Sequence, residues 1–246
     1  MRMRINSTLL FKQGEHMNKK IKMMAAALMA AAVSQASLTD FGLSGNTLYD
    51  GWDGLTSAQY PGYGSYPGSG AWPGPMVANE AGSNGGELAK ISGTGYAGGS
   101  SLYSPAGGVF EVSQDSVVAD LETIVFAVGY GAGTSASFTN GPTLTINGST
   151  VIGAADSTFN LGSYNDTIGG FEVTLTTDVF QWDLSSLGET VTSFSISYDV
   201  GEHAQQYGLQ LEQSDTYTEA IPEPATMVLI GGAGGALFML RRMRIC

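Results

Sequence analysis

Between residues 87 and 213 the apolar residues come in short runs, each stopped by glycine or a turn-forming polar residue. The runs are 88–92, 108–112, 121–130, 142–147, 150–152, 170–176, 179–184, 191–200 and 207–213. None carries the 3.6-residue period of an amphipathic helix over a useful length. Short runs of this kind can bury their apolar faces only by pairing as strands and stacking two sheets. Glycines, thirty of them between residues 37 and 220, supply the turns. The pattern predicts an all-β chain, a β-sandwich of jelly-roll or immunoglobulin-like type with nine or so strands.

Individual runs carry more detail. Residues 124–128 (Ile-Val-Phe-Ala-Val) are apolar without a break, which predicts a central strand covered on both faces. Phe194, Ile196, Tyr198 and Val200 alternate with Ser193, Ser195, Ser197 and Asp199, the mark of a strand with one wet face. Leu209 and Leu211 alternate likewise with Gly208, Gln210 and Glu212. Val173 and Leu175 hold one phase, and Phe180, Trp182 and Leu184 hold the other. A bulge or turn is therefore expected near Thr177 and Asp178. Residues 38–52 predict one or two further short strands, and 214–220 a short acidic lead out of the domain.

Residues 60–75 read Tyr-Pro-Gly-Tyr-Gly-Ser-Tyr-Pro-Gly-Ser-Gly-Ala-Trp-Pro-Gly-Pro. Proline and glycine at this density forbid helix and central strand. Two readings of the aromatic residues stay open. In one, Trp52, Tyr63, Tyr66 and Trp72 are pushed outward as a platform that stacks on sugar rings. In the other, the segment is an Ω-type loop that packs its own rings on the sandwich.

Charge excludes several classes of function. Residues 37–220 hold twenty acidic residues against one cation, Lys90, a net charge of −19. Nucleic acid and anionic membrane surfaces need Lys and Arg to displace counterions, so neither is an expected partner. The sequence shows no catalytic set and no cofactor motif. His203, beside Glu202, is the sole histidine between residues 37 and 220, and no Gly-x-Ser-x-Gly elbow is present. Zinc would need several His or Cys ligands. Calcium accepts oxygen ligands, and Asp50, Asp53 and Asp166 are the candidates, although none matches EF-hand spacing. The single cysteine, Cys246, allows no intrachain disulfide.

The two ends read as sorting signals. Lys19, Lys20 and Lys22 precede an apolar run at 23–33, and Ser34-Gln35-Ala36 has small residues at the −3 and −1 positions. This is a signal peptide for the Sec export machinery with cleavage after Ala36, and Met17 is a better start than Met1. At the other end Pro222-Glu223-Pro224 precedes an uncharged run at 225–240, then Arg241, Arg242 and Arg244. Sixteen residues give about 24 Å of helix, and snorkelling arginines extend its reach toward a hydrocarbon core of about 30 Å. The positive-inside rule leaves the arginines in the cytoplasm and the body outside.

Box, apolar helix and basic stop together resemble the PEP-CTERM sorting tail. The resemblance covers residues 221–246 and leaves the body at 37–220 unassigned. It implies processing by an exosortase-type enzyme in a Gram-negative bacterium. The precursor would sit in the inner membrane before reaching the cell surface or matrix, in company with exopolysaccharide. The first functional expectation is therefore a non-enzymatic surface or matrix protein with a structural or interaction role. The second is a lectin-like carbohydrate-binding module. An extracellular hydrolase ranks third, because carboxylate pairs for glycoside hydrolysis meet only in space.

Overall fold

The computed structural model describes residues 41–131, 138, 141–168 and 171–220. The expected signal peptide, sorting box and membrane helix fall outside these residues. Among the described residues no helix is long and apolar enough to cross a membrane.

The described residues form strands β1 (Thr47–Asp53), β2 (Met76–Val77), β3 (Glu87–Gly93), β4 (Tyr96–Ala97), β5 (Leu102–Ser104), β6 (Gly108–Gln114), β7 (Thr123–Gly131), β8 (Thr143–Ile146), β9 (Thr150–Ala154), β10 (Ser157–Ile168), β11 (Phe171–Asp183), β12 (Phe194–Val200) and β13 (Ala204–Ser214). One antiparallel sheet has the order β10-β11-β7-β13-β5-β4, with β1 also paired to β13. The other has the order β2-β3-β6-β12-β8-β9. The inner faces share one core in which Trp52, Phe126 and Trp182 of the first sheet meet Phe110 and Tyr198 of the second. Ring contacts cross the interface directly, with Phe126 and Tyr198 centroids 5.5 Å apart. The expected all-β sandwich is what these strands build.

β7 carries the apolar run at 124–128 between β11 and β13, as expected of a central strand. Ile124, Phe126 and Val128 enter the main core. Val125 and Ala127 face the other way and join Phe41, Val179 and Ala220 in a second cluster. β12 alternates as read, with Phe194, Ile196, Tyr198 and Val200 buried.

Several expectations need correction. Residues 171–183 form one continuous strand, and no register shift interrupts its pairing with β7. The irregularity lies in its other neighbour, between Asn160 and Ser163 of β10, where Gly162 takes φ +87°. That twelve-residue strand escapes the apolar pattern because Asn160, Gly162, Asn165 and Asp166 read as turn residues. The expected wet face of 207–213 is also absent. Gln210 and Glu212 are buried, since β13 is a central strand flanked by β7, β1 and β5.

Residues 215–220 are a strap on the sheet, where the sequence predicts a free lead. Asn46 donates from its backbone N to Asp215 Oδ1 (2.8 Å) and from Nδ2 to Oδ2 (2.5 Å). These bonds hold the Asp215 carboxyl below its ordinary pKa. Tyr217 N donates to Glu122 Oε2 at 3.0 Å. The Gln181 amide then grips both sides of the strap: Nε2 donates to Thr218 O (2.7 Å), and Oε1 accepts from Ala220 N (2.9 Å).

Candidate functional site

The 60–75 loop packs its rings inward. Tyr60 is buried in the core and donates to Val77 O at 2.9 Å. Tyr63 packs edge-on against both Tyr60 and Trp72, and its hydroxyl donates to Pro75 O at 2.6 Å. Trp72 is half-buried against Phe110 and donates from Nε1 to Gly95 O at 2.9 Å. Trp52, on β1, is 0% exposed, with its Nε1 donating to Met76 O. Of the two readings left open, the outward platform of Trp52, Tyr63 and Trp72 is absent, and the loop packs its own rings on the sandwich. Burying a large ring outweighs the local bias of Pro and Gly, provided each polar tip finds a carbonyl. Of the four candidates Tyr66 alone stands in solvent, 73% exposed.

Lys90 ties this loop down. Its Nζ donates to the carbonyls of Gly68 (2.5 Å), Gly70 (2.5 Å) and Gly95 (3.3 Å), and lies 5.8 Å from the centre of the Trp72 ring. Burial pulls its pKa down. The loop closes so tightly that a Cβ at Gly68 would sit 2.9 Å from Gly95 N, and Gly68 has φ +78°. Any other residue there would clash and be strained.

The loop delivers Tyr66 to a row of rings at the sheet edge. Register sets Tyr96 of β4 opposite Tyr103 of β5, and Tyr103 opposite Gln205 of β13. The alternate residues Ala97, Leu102 and Ala204 enter the core, so Tyr96, Tyr103 and Gln205 share the outer face. Tyr66 meets Tyr96 edge-on at 6.5 Å, and Tyr96 meets Tyr103 edge-on at 5.9 Å. His203 then lies beside Tyr103, ring centres 6.1 Å apart and planes within 17°. The Tyr103 hydroxyl and His203 Nδ1 are hydrogen-bonded at 2.6 Å. His203 holds φ +63° in the β12–β13 turn, a conformation His adopts more readily than most residues. At the end of the row Tyr207 OH donates to Gln205 Oε1 at 2.5 Å. Burial, then the neighbouring Tyr103 and Tyr66, raise the pKa of Tyr96, so its hydroxyl stays protonated.

Sequence reasoning missed Tyr96, Tyr103, Gln205 and the role of His203. β4 and β5 span two and three residues, too few to show a period. Only cross-strand register brings these side chains together.

The calcium candidates fare differently from one another. Asp50 is fully buried and its oxygens face N–H donors: Asn84 N and Gly86 N on Oδ1 (both 2.8 Å), and Gln114 Nε2 on Oδ2 (2.5 Å). Donors in those places oppose a cation, so Asp50 is a structural carboxylate. Asp53 lies beside Glu80, whose carboxyl is pushed above its ordinary pKa by burial and then by Asp53, with which it is hydrogen-bonded. A pair in hydrogen-bond contact is closer than the about 5 Å that glycoside hydrolysis requires. Asp166, on β10, falls opposite Val173 of β11, and its side chain is outside the described residues. Among the described residues no three His, Cys, Asp or Glu side chains are placed to share a metal. A groove of about 300 Å³ lined by Asp120, Glu122, Leu187 and Glu189 lies near the strap, at the far end of β13 from the row.

No known protein family matches the sequence, and no curated protein matches it. Among solved structures, a carbohydrate-binding module, TmCBM27, described for specific mannan recognition, aligns over 68% of this chain and 95% of its own. The identity is 12% and the TM-score 0.34, a likeness too distant to carry an argument about what this chain binds.

Proposed function

We propose that residues 37–220 form a non-catalytic interaction domain of an exported surface protein, and that it holds polysaccharide along Tyr66, Tyr96, Tyr103 and His203. The observation that carries this reading is the row itself. Three tyrosines meet edge to face at a sheet edge, His203 lies beside the last of them through a hydrogen bond, and the outermost ring, Tyr66, is 73% exposed. Sugar rings have apolar C–H faces and polar rims. Tyrosine answers both, with a flat apolar body and a hydroxyl, at low conformational cost. The Lys90 clasp on the 60–75 loop fixes the backbone beside Tyr66 before any ligand arrives, which lowers the entropy lost on binding.

The sorting signals supply the setting. The exosortase-type route, with Pro222, Glu223 and Pro224 as its box and Arg241, Arg242 and Arg244 as its stop, would place the domain where exopolysaccharide lies. Binding is tested by affinity electrophoresis of the exported protein in gels containing soluble polysaccharides. Retardation that Tyr66→Ala reduces, with the melting midpoint unchanged, is the expected result. Retardation indifferent to Tyr66→Ala and Tyr96→Ala together would remove the site.

A further inference from the structure

Polysaccharides fall into neutral polymers and polymers bearing carboxylate or sulfate, and proteins meet the two with different groups. Anionic sugars are held by Arg or Lys, or by the N-terminal amides of helices. Neutral sugars need ring faces and uncharged hydrogen-bonding groups. Resting on the reading of the row as a polysaccharide site, we infer that it takes neutral polysaccharide and excludes polyuronates and sulfated polymers.

The argument begins with where the cations are. Lys90 is the sole Lys or Arg between residues 37 and 220. Its ammonium is spent on the carbonyls of Gly68, Gly70 and Gly95 and on the Trp72 ring, so the loop consumes the domain's one fixed positive charge. His203 Nδ1 is taken by the Tyr103 hydroxyl. Its chain neighbour Glu202 is exposed on the same turn and presents a negative charge. No helix occurs among the described residues, which removes that source of anion-binding amides.

What remains along the row is neutral. The tyrosine hydroxyls donate and accept, and burial keeps Tyr96 protonated. The Gln205 side chain accepts from Tyr207 through Oε1, while its Nε2 has no partner among the described residues and is a donor for a ring hydroxyl. An acidic polymer laid along these rings would meet a domain of net charge −19 with no free Lys or Arg to pair its repeating charges.

Affinity electrophoresis of the full-length protein decides this, with hydroxyethylcellulose, xyloglucan and galactomannan as neutral probes and alginate, polygalacturonate and carrageenan as acidic ones. Each probe is run at low and high salt, with the wild type and with the Tyr66→Ala/Tyr96→Ala variant. The expected result is retardation by at least one neutral polymer, at least tenfold weaker in the variant and unchanged by salt, with none by the acidic polymers. Retardation by an acidic polymer that the variant abolishes would overturn the ligand class and leave the row standing as a site. Retardation by no polymer, or by one that the variant binds equally well, would remove the row and this inference with it.

Discussion

Asp50 joins the two sheets, and removing its carboxylate should show how much that junction contributes. The side chain leaves β1 of one sheet and accepts from Gln114 of β6 in the other, and from the backbone of Asn84 and Gly86 in the loop between β2 and β3. Asp50→Ala would orphan three donors, each costing about 1–3 kcal/mol when left buried without a partner. Relief of a buried charge offsets part of that, so the expected loss is about 3–5 kcal/mol, as when one member of a buried polar pair is deleted. For a domain of this length that lowers the melting midpoint by roughly 6–20 °C. Asp50→Asn should cost less, because its oxygen can still serve the two backbone N–H groups. Its amide would then face the Gln114 amide, whose own oxygen is already held by Ser116 N at 2.7 Å. Adding Gln114→Glu to Asp50→Asn turns that contact back into a donor–acceptor pair and should recover part of the loss. Urea unfolding with constant slope measures all three variants. A cost below about 1 kcal/mol for Asp50→Ala would refute the junction, since surface changes fall in that range.

Other outcomes follow from the same contacts. Trp72→Ala should cost about 3 kcal/mol, the lower end for aromatic truncation because the ring is half-buried, whereas Tyr66→Ala should leave urea unfolding unmoved and weaken polysaccharide retention. Lys90→Met should free the 60–75 loop, read as faster hydrogen exchange at Gly68 and Gly70 with the strand core unchanged. Glu80 has a raised pKa when folded, so its contribution is full below the ordinary 4.5 and fades as pH rises through the raised value; Glu80→Gln should raise the midpoint at neutral pH and flatten its pH dependence above 4.5. Glu202→Lys, on the exposed turn beside the row, should confer weak alginate retardation that disappears at high salt. Intact mass of the exported protein should give Ser37 as its first residue.

How far the chain can be read without coordinates depends on the length of the element. β7 and β12 are legible because their patterns run for five residues or more, an unbroken apolar run buried on both faces in β7 and a strict alternation buried on one face in β12. β10 is illegible because its bulge needs Gly162, and residues that serve a bulge also serve a turn. The loop at 60–75 shows the opposite failure: its composition announces a loop correctly but says nothing of which way Tyr63 and Trp72 point. Direction there is decided by the carbonyls of Pro75 and Gly95, which accept from their polar tips. The aromatic row is the least legible part. It is assembled from the loop, two strands of two and three residues, and a turn, and it exists only through their pairing.

The row and the Asn46–Asp215 clasp sit at opposite ends of β13, and this has a mechanical consequence. Eleven residues at about 3.4 Å each separate them by roughly 35 Å. A pull applied at the row and resisted at the clasp runs along the strand axis. Where Asn46 holds, the load passes from β13 to β1, whose perpendicular hydrogen bonds share it at once in shear. Pulling residue 46 away from residue 215 loads the same β1–β13 ladder in the other sense. Thr47 lies opposite Ser214 at the very start of that ladder, so its bonds would open one after another. The sandwich resists a pull along β13 far better than separation of its two ends.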